Sequence, residues 1–141
     1  MAPDRAFEAT TPGAVEAALH GHEGPVLLAA PDVPALGAHH AAAALADLGE
    51  GSLLSVAPST DGRPFLVALP RLDLELLELA VGPFESLAAA TLARGGGVGL
   101  VRSERRLVSP GDARAMAADP LAPPGLAAVL RRAMPVRRPP R

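Results

Sequence analysis

The chain has 141 residues, which is the size of one domain, and 49% of them are hydrophobic, which is enough to build a core. It contains no cysteine, which excludes disulfides and thiolate metal sites and is typical of a cytoplasmic protein. The formal net charge is −2 and aromatic residues make up only 2%, so nucleic acid is not an expected partner. The longest alanine-rich stretch, residues 35–48, is too short and too polar to cross a membrane.

Apolar runs and capping residues predict helices and strands along the whole chain. The predicted helices cover residues 12–19, 34–48, 72–81, 84–94, 110–118 and 126–133. The predicted strands cover residues 26–30, 53–57, 65–69 and 98–101. The first strand is a continuous apolar run without alternation, which is typical of a strand buried on both faces of a parallel sheet. A strand, a helix and a strand at this spacing form a βαβ unit, so we predict a three-layer α/β/α fold with a mostly parallel sheet.

The domain organisation follows from the same pattern. We find no internal repeat and no long linker, so residues 1–133 are predicted to form a single α/β domain. Residues 134–141, MPVRRPPR, form a basic, proline-rich tail that we expect to be disordered. Its arginines could contact nucleic acid or an acidic partner, but no helix–turn–helix or similar pattern accompanies them, which favours a solubilising tail.

Asp32 directly follows the first predicted strand, between Pro31 and Pro34. In open α/β sheets, ligands bind outside the carboxyl ends of the strands, and a carboxylate there can hold Mg²⁺ or Mn²⁺. The alternative is that Asp32 caps the helix that follows Pro34, and an aspartate before a helix is more often a cap than a ligand. The position makes Asp32 a candidate metal ligand without deciding between these two roles.

Asp61 and Gly62 lie between the second and third predicted strands. Asp-Gly is a standard turn pair, and a tight turn is the simpler interpretation. The functional alternative is that this loop lies at the same edge of the sheet as Asp32. Two acidic loops at one edge could then share a metal and phosphate ligand.

The histidines are a further set of candidate metal ligands. His20 and His22 lie in a loop without a patterned partner. Adjacent side chains on a helix point about 100° apart, so His39 and His40 are not expected to share a site. We therefore expect all four to be solvated surface residues.

Three segments carry a resemblance to a known family: LAAPDVPAL at residues 28–36, VAPSTDGRPFLVAL at residues 56–69 and RLVSPGD at residues 106–112. They resemble, in order, a strand ending in Gly-Ser-Asp-Thr-Pro, the motif Gly-Pro-Ala-Glu-Asp-Gly-Gly-Tyr with its apolar strand, and the closing motif Asp-Val-Asp-Thr-Pro-Glu-Asp. These motifs are those of bacterial glycosyltransferase-A-like proteins related to 2-phospholactate guanylyltransferase. The resemblance spans roughly residues 12–130.

The resemblance implies the C-terminal part of a nucleotide-diphospho-sugar transferase fold. It makes Asp32 the metal-binding and nucleotide-binding aspartate and places Asp61 and Gly62 in the acidic turn. The implied cofactor is Mg²⁺ or Mn²⁺, and the implied ligand is a nucleotide or a nucleotide sugar. If the chain is active, the resemblance makes it a metal-dependent nucleotidyltransferase or glycosyltransferase.

Several positions depart from the family motifs. Thr60 stands where the family has glutamate, and Arg106 and Val108 stand where the closing motif has aspartates. Asp112 is retained, but we expect it to serve the start of a helix. Family members also begin with a strand and a basic loop that binds the nucleotide phosphates, and the chain starts too late to contain them. We therefore expect at most residual metal-dependent binding of a nucleotide or nucleotide sugar.

Two alternatives remain open. The first is a non-catalytic interaction or structural protein on the same scaffold, in which a second copy or a partner chain covers an exposed sheet edge. The second is a truncated reading frame whose front half lies upstream or on another chain.

Overall fold

Six helices and four strands form the part of the chain that the computed structural model describes, residues 8–134. The helices are α1 (Pro12–Ala18), α2 (Ala38–Gly49), α3 (Leu74–Leu79), α4 (Phe84–Ala93), α5 (Pro110–Ala118) and α6 (Leu126–Ala133). The strands are β1 (Val26–Ala29), β2 (Ser52–Pro58), β3 (Pro64–Leu69) and β4 (Gly97–Leu100). The predicted tail lies outside the described residues except for Met134. No helix in the described part of the chain combines the length and the apolarity needed to span a bilayer.

The four strands form one mixed sheet in the order β1-β3-β2-β4. Strands β2 and β4 are parallel, whereas β3 is antiparallel to both of its neighbours, β1 and β2. Strand β3 is reversed because only residues 59–63 join it to β2, and a loop of that length makes a hairpin rather than a crossover. The predicted α/β fold is confirmed, but the sheet is mixed, with one parallel and two antiparallel pairs of strands, rather than mostly parallel. The predicted βαβ unit exists as β1–α2–β2, with β3 inserted between its two parallel strands.

The core has two main parts, one on each face of the sheet. On the face covered by α2, the buried residues are Val33, Ala44, Ala57, Phe65, Leu66, Ala68 and Val101. On the face covered by α3 and α4, they are Leu54, Val56, Val67, Leu69, Leu76 and Leu87. Within β3, Leu66 and Ala68 belong to the first part and Val67 and Leu69 to the second, because successive side chains of a strand point to opposite sides. This arrangement is the predicted three-layer α/β/α fold.

Helix α2 begins four residues later than its apolar pattern predicts. Its N-cap is Gly37, whose backbone N–H donates to Nδ1 of His40 at 3.1 Å. The preceding residues are held in a turn instead, in which Leu36 N–H donates to the carbonyl oxygen of Val33 at 3.0 Å. The interpretation of Asp32 as the helix cap is therefore wrong, because four residues lie between it and the actual N-cap.

Candidate site at the carboxyl end of β1

Asp32 is held by Arg106, from the segment that follows β4. Nε of Arg106 donates to both carboxylate oxygens of Asp32, at 3.1 Å to Oδ1 and 3.0 Å to Oδ2. The backbone N–H of Leu107 also donates to the carbonyl oxygen of Asp32, at 2.7 Å. Two of the three segments that carry the family resemblance therefore meet just beyond the carboxyl end of β1. Asp32 and Arg106 are both partly buried, with 29% and 21% of their side chains exposed.

Asp61 lies in the β2–β3 hairpin loop, at the same edge of the sheet. Its Oδ1 accepts hydrogen bonds from the Ser59 hydroxyl and, at 2.9 Å, from the backbone N–H of Arg63. These two hydrogen bonds hold the pKa of Asp61 below its ordinary value, against a smaller opposing effect of desolvation, and the charges of Arg106 and Arg63 lower the pKa further. Gly62 has φ of 82°, a backbone conformation that favours glycine. The predicted turn is therefore confirmed.

The register of the strands explains why the two loops share this edge. Ala29, the last residue of β1, pairs with Leu66 near the start of β3, and Pro58, the last residue of β2, pairs with Pro64. The loops that follow β1 and β2 therefore leave the sheet side by side. The charge of Arg106 acts on both loops, because the guanidinium pairs with Asp32 and lowers the pKa of Asp61.

Asp112 and its neighbours serve the start of α5. Ser109 is the N-cap of this helix, and its Oγ accepts from Asp112 N–H at 3.1 Å. The Asp112 carboxylate accepts from the Ser109 hydroxyl at 2.8 Å and pairs with Arg105 at 3.2 Å. The Ser109 hydrogen bond is the main cause that holds the pKa of Asp112 below its ordinary value. The expectation that Asp112 serves the helix start is confirmed.

The residues around Asp32 do not fit a divalent cation in the arrangement that the structure shows. Such a cation takes six or more oxygen ligands, which for Mg²⁺ are usually one or two carboxylates together with waters and substrate phosphates. Within residues 8–134, Asp32 belongs to no group of three metal-ligating side chains that lie close together. Its carboxylate instead faces a guanidinium that carries its own positive charge. The binding of Mg²⁺ or Mn²⁺ at Asp32 stays a prediction.

His40 contradicts the expectation that all the histidines are solvated. It is fully buried, and its ring packs edge-on against Phe65 with centroids 5.5 Å apart. The ring of His39 lies 3.9 Å from that of His40, centroid to centroid, so the expectation that the two point apart is also wrong. His39 leans back over Gly37, where a side-chain Cβ would approach its Nδ1 to 3.0 Å. The i, i+4 spacing of His40 and the buried Ala44 is the sequence signal that could have revealed this face.

The best-defined pockets lie away from Asp32 and Asp61. One, of about 150 Å³, lies at the other end of the sheet, where Arg94 pairs with Asp73 at 2.5 Å. The other, of about 460 Å³, lies between the segment before α5 and helix α6, and its lining includes Leu107 and Val108. Neither lining includes Asp32, Asp61 or Arg106.

Comparison with known proteins identifies the fold. No protein-family model matches the chain, and no curated protein matches it significantly. A solved structure from Desulfovibrio desulfuricans G20, described as a "putative nucleotide-diphospho-sugar transferase", is similar, with a TM-score of 0.68 and 15% sequence identity. The match covers 86% of this chain and 56% of the other, so the chain spans little more than half of that protein's length.

The chain therefore shares its fold with the protein so described. This confirms the fold that the three sequence segments imply. The more specific relation to 2-phospholactate guanylyltransferase stays a prediction.

Proposed function

We propose that this chain is a glycosyltransferase-like domain that retains at most a residual, metal-dependent capacity to bind a nucleotide or a nucleotide sugar. The observation that supports the proposal is the contact of Arg106 with both carboxylate oxygens of Asp32. Asp32 is the residue to which the family resemblance assigns the metal and the nucleotide. Its negative charge is already balanced within the chain.

The chemistry of transfer explains why this ion pair matters. A transferase of this type stabilises the charge of a diphosphate or triphosphate with a metal ion and with positioned basic groups. A metal ion at Asp32 would have to displace Arg106, and Thr60 and Val108 add no carboxylate at the other positions of the family motifs. The binding of a nucleotide is therefore expected to be weak, and the transfer reaction is not expected.

Isothermal titration calorimetry tests the proposal directly. GTP, UTP and UDP-glucose are titrated into the protein with and without Mn²⁺. The expected result is that any Mn²⁺-dependent dissociation constant lies in the millimolar range or above. A Mn²⁺-dependent dissociation constant in the micromolar range, or turnover of a nucleotide sugar, would contradict the proposal.

The variant Arg106→Asp tests whether the guanidinium of Arg106 is what weakens the binding of a metal ion at Asp32. It removes the guanidinium and places a second carboxylate beside Asp32, so Mn²⁺ should bind at least about tenfold more tightly than to the wild type. The matched control is Arg105→Asp, which makes the same change of charge one residue away, where the side chain pairs with Asp112 instead. Equal Mn²⁺ affinities of the two variants would show that Arg106 does not control the site.

A second candidate function is that of a non-catalytic interaction domain, and the exposed edge of the sheet favours it. Strand β4 lies at one end of the strand order, and 67% of its Leu100 is exposed. An edge strand with apolar side chains is a surface on which another chain can pair. Sedimentation equilibrium should then show a dimer that Leu100→Lys weakens, and a monomer at high protein concentration would count against self-association.

A further inference from the structure

A buried histidine meets a carboxylate where the start of α2 packs against the segment that follows β4. His40 is fully buried, and its Nε2 lies 3.3 Å from Oε1 of Glu104. The contact does not have the geometry of a hydrogen bond, and Nε2 has no hydrogen-bond partner among residues 8–134. Buried polar atoms are nearly always partnered, so Nε2 lacks a partner that the described residues do not supply: a water if Nε2 carries the ring proton, or a metal ion once that proton has moved to Nδ1.

His39 brings a third candidate ligand to the same place. One ligand atom from each of His39, His40 and Glu104 can be chosen so that all three lie within 4.8 Å of one another. Zinc bonds of roughly 2.0–2.2 Å in a tetrahedral arrangement separate neighbouring ligand atoms by about 3.3 Å. The pair of His40 and Glu104 already has this spacing. The exposed ring of His39 has the freedom to turn and close the remaining distance.

We propose that His39, His40 and Glu104 form a binding site for a divalent transition metal of the zinc class. Two imidazoles and a carboxylate suit Zn²⁺ or Co²⁺, whereas Mg²⁺ prefers a set of oxygen ligands. Three protein ligands leave a fourth position for water, on the solvent side marked by His39. This site is separate from the metal position predicted at Asp32, and it does not depend on the proposed function.

Two contacts compete with the metal and limit its affinity. Nδ1 of His40 accepts a hydrogen bond from Gly37 N–H, so the neutral ring carries its proton on Nε2. Binding of a metal at Nε2 moves that proton to Nδ1 and breaks the hydrogen bond from Gly37.

The second competing contact is that of Arg102 with Glu104. Nε of Arg102 lies 3.2 Å from the same Glu104 oxygen that faces His40. A metal must therefore displace Arg102 as well, which predicts micromolar rather than nanomolar binding.

A metal at this position would link two parts of the fold. His39 and His40 lie in the first turn of α2, and Glu104 lies two residues before Arg106. The metal would fasten the segment that carries Arg106 to the helix that follows the Asp32 loop. It should therefore raise the thermal stability of the protein as well as bind to it.

The test is a titration of the tag-free protein, stripped with a chelator, with Co²⁺ and then Zn²⁺. The expected result is one equivalent of Co²⁺ with intense visible absorption bands of a tetrahedral site, displaced by Zn²⁺, together with a higher thermal midpoint in Zn²⁺. His39→Ala and Glu104→Gln should each weaken binding at least about tenfold, whereas Arg102→Ala should strengthen it. The matched control is His20→Ala, which removes an exposed histidine outside the cluster and should leave binding unchanged.

Three results would overturn the proposal. The first is the absence of stoichiometric Co²⁺ or Zn²⁺ binding to the wild type. The second is binding by His39→Ala and Glu104→Gln as tight as that of the wild type, with circular dichroism confirming that both variants are folded. The third is loss of binding in Asp32→Asn with full binding in His39→Ala, which would assign the metal to the Asp32 site instead.

Discussion

Asp32 and Arg106 lie 74 positions apart in the sequence, yet a single nitrogen of the arginine reaches both oxygens of the aspartate. The contact depends on the fold, because β1 and β4 are the two edges of the sheet. The segment that follows β4 must cross the ends of β2 and β3 to reach Asp32. On this path, Thr60 N–H donates to the carbonyl oxygen of Glu104 at 3.2 Å. The pair therefore connects both edges of the sheet on the side of the candidate site.

The variant Arg106→Gln should lower the free energy of unfolding by about 1–2 kcal/mol, because it leaves the partly buried carboxylate of Asp32 without its charged partner. Arg105→Gln is the matched control, since the side chain of Arg105 is 44% exposed, compared with 21% for Arg106. Its loss should be under about 1 kcal/mol. Urea unfolding of both variants measures the difference in the free energy of unfolding. Equal decreases would show that the Arg106–Asp32 pair stabilises the fold no more than the Arg105–Asp112 pair does.

Gly99→Ala should lower the free energy of unfolding by about 1–3 kcal/mol. A Cβ at Gly99 would overlap the carboxylate of Asp47, on helix α2. That carboxylate cannot move freely, because its Oδ2 accepts a hydrogen bond from the buried Ser55 at 2.6 Å. Gly13→Ala is the control, since a Cβ there meets no atom within 4 Å and alanine favours a helix. Urea unfolding should show that Gly13→Ala leaves the free energy of unfolding unchanged or raises it. An unchanged free energy of unfolding in Gly99→Ala would contradict the predicted overlap with Asp47.

The stability of the protein should decrease as the pH falls through the acidic range, in part because of Asp61. Its pKa is lower in the folded protein than in the unfolded chain, mainly through the hydrogen bonds from Ser59 and from Arg63 N–H. The stabilisation is therefore complete above the unfolded-state pKa and is lost as the pH falls through the folded-state pKa. Asp61→Asn should make the free energy of unfolding less dependent on pH in this range, as measured by urea titrations at a series of pH values.

Ser59→Ala provides a second measurement of the same effect. The Ser59 hydroxyl is the largest cause of the low pKa of Asp61. Its removal should therefore reduce the acid-dependent part of the loss in stability. The hydroxyl contacts the carbonyl oxygen of Arg63 too, at 2.8 Å, so the variant should also be less stable at neutral pH. A pH dependence equal to that of the wild type in both variants would exclude Asp61 as its source.

Asp73→Ala should destabilise α3 by about 1–2 kcal/mol. Asp73 is the N-cap of this helix, where its Oδ1 accepts from Leu76 N–H at 3.1 Å and its Oδ2 pairs with Arg94. Asp73→Asn keeps the capping oxygen but removes the charge, so it should recover most of the lost stability. Thermal unfolding of the two variants separates the cap from the ion pair. If Asp73→Asn lowered the stability as much as Asp73→Ala does, the stabilisation would come from the ion pair with Arg94 rather than from the cap.

Local signals in the sequence predicted the local structure well. The predicted starts of α1 and α5 agree with the structure, in which Thr11 and Ser109 are the N-caps directly before Pro12 and Pro110, because a cap depends only on the next three residues. The Asp61-Gly62 pair likewise predicted its turn. The reversal of β3 follows from that same turn, but the continuous apolar runs of the strands were interpreted as signs of a mostly parallel sheet. A strand buried on both faces has such a run whether it is parallel or antiparallel to its neighbours.

The candidate site could be predicted only in part. The three segments name Asp32 as a site residue and show Arg106 in the place of a motif aspartate, but they do not place the two side chains together. No pattern in one sequence shows that Arg106 pairs with Asp32, since the contact depends on tertiary packing. The burial of His40 is different, because its i, i+4 spacing with Ala44 indicates a shared helix face, and only the residue that covers its ring, Phe65 of β3, depends on tertiary packing.

The pairing of Arg106 with Asp32 means that the positive charge beside the Asp32 carboxylate comes from the chain itself rather than from a metal ion. An ion taken from solution is shared among all the proteins that compete for it, and a chelator can withdraw it. A guanidinium is made with the chain and stays protonated at any physiological pH. The charge balance of Asp32 is therefore independent of the supply of metal in the surroundings. A ligand that approaches this loop in the arrangement that the structure shows therefore meets a carboxylate already paired with a guanidinium.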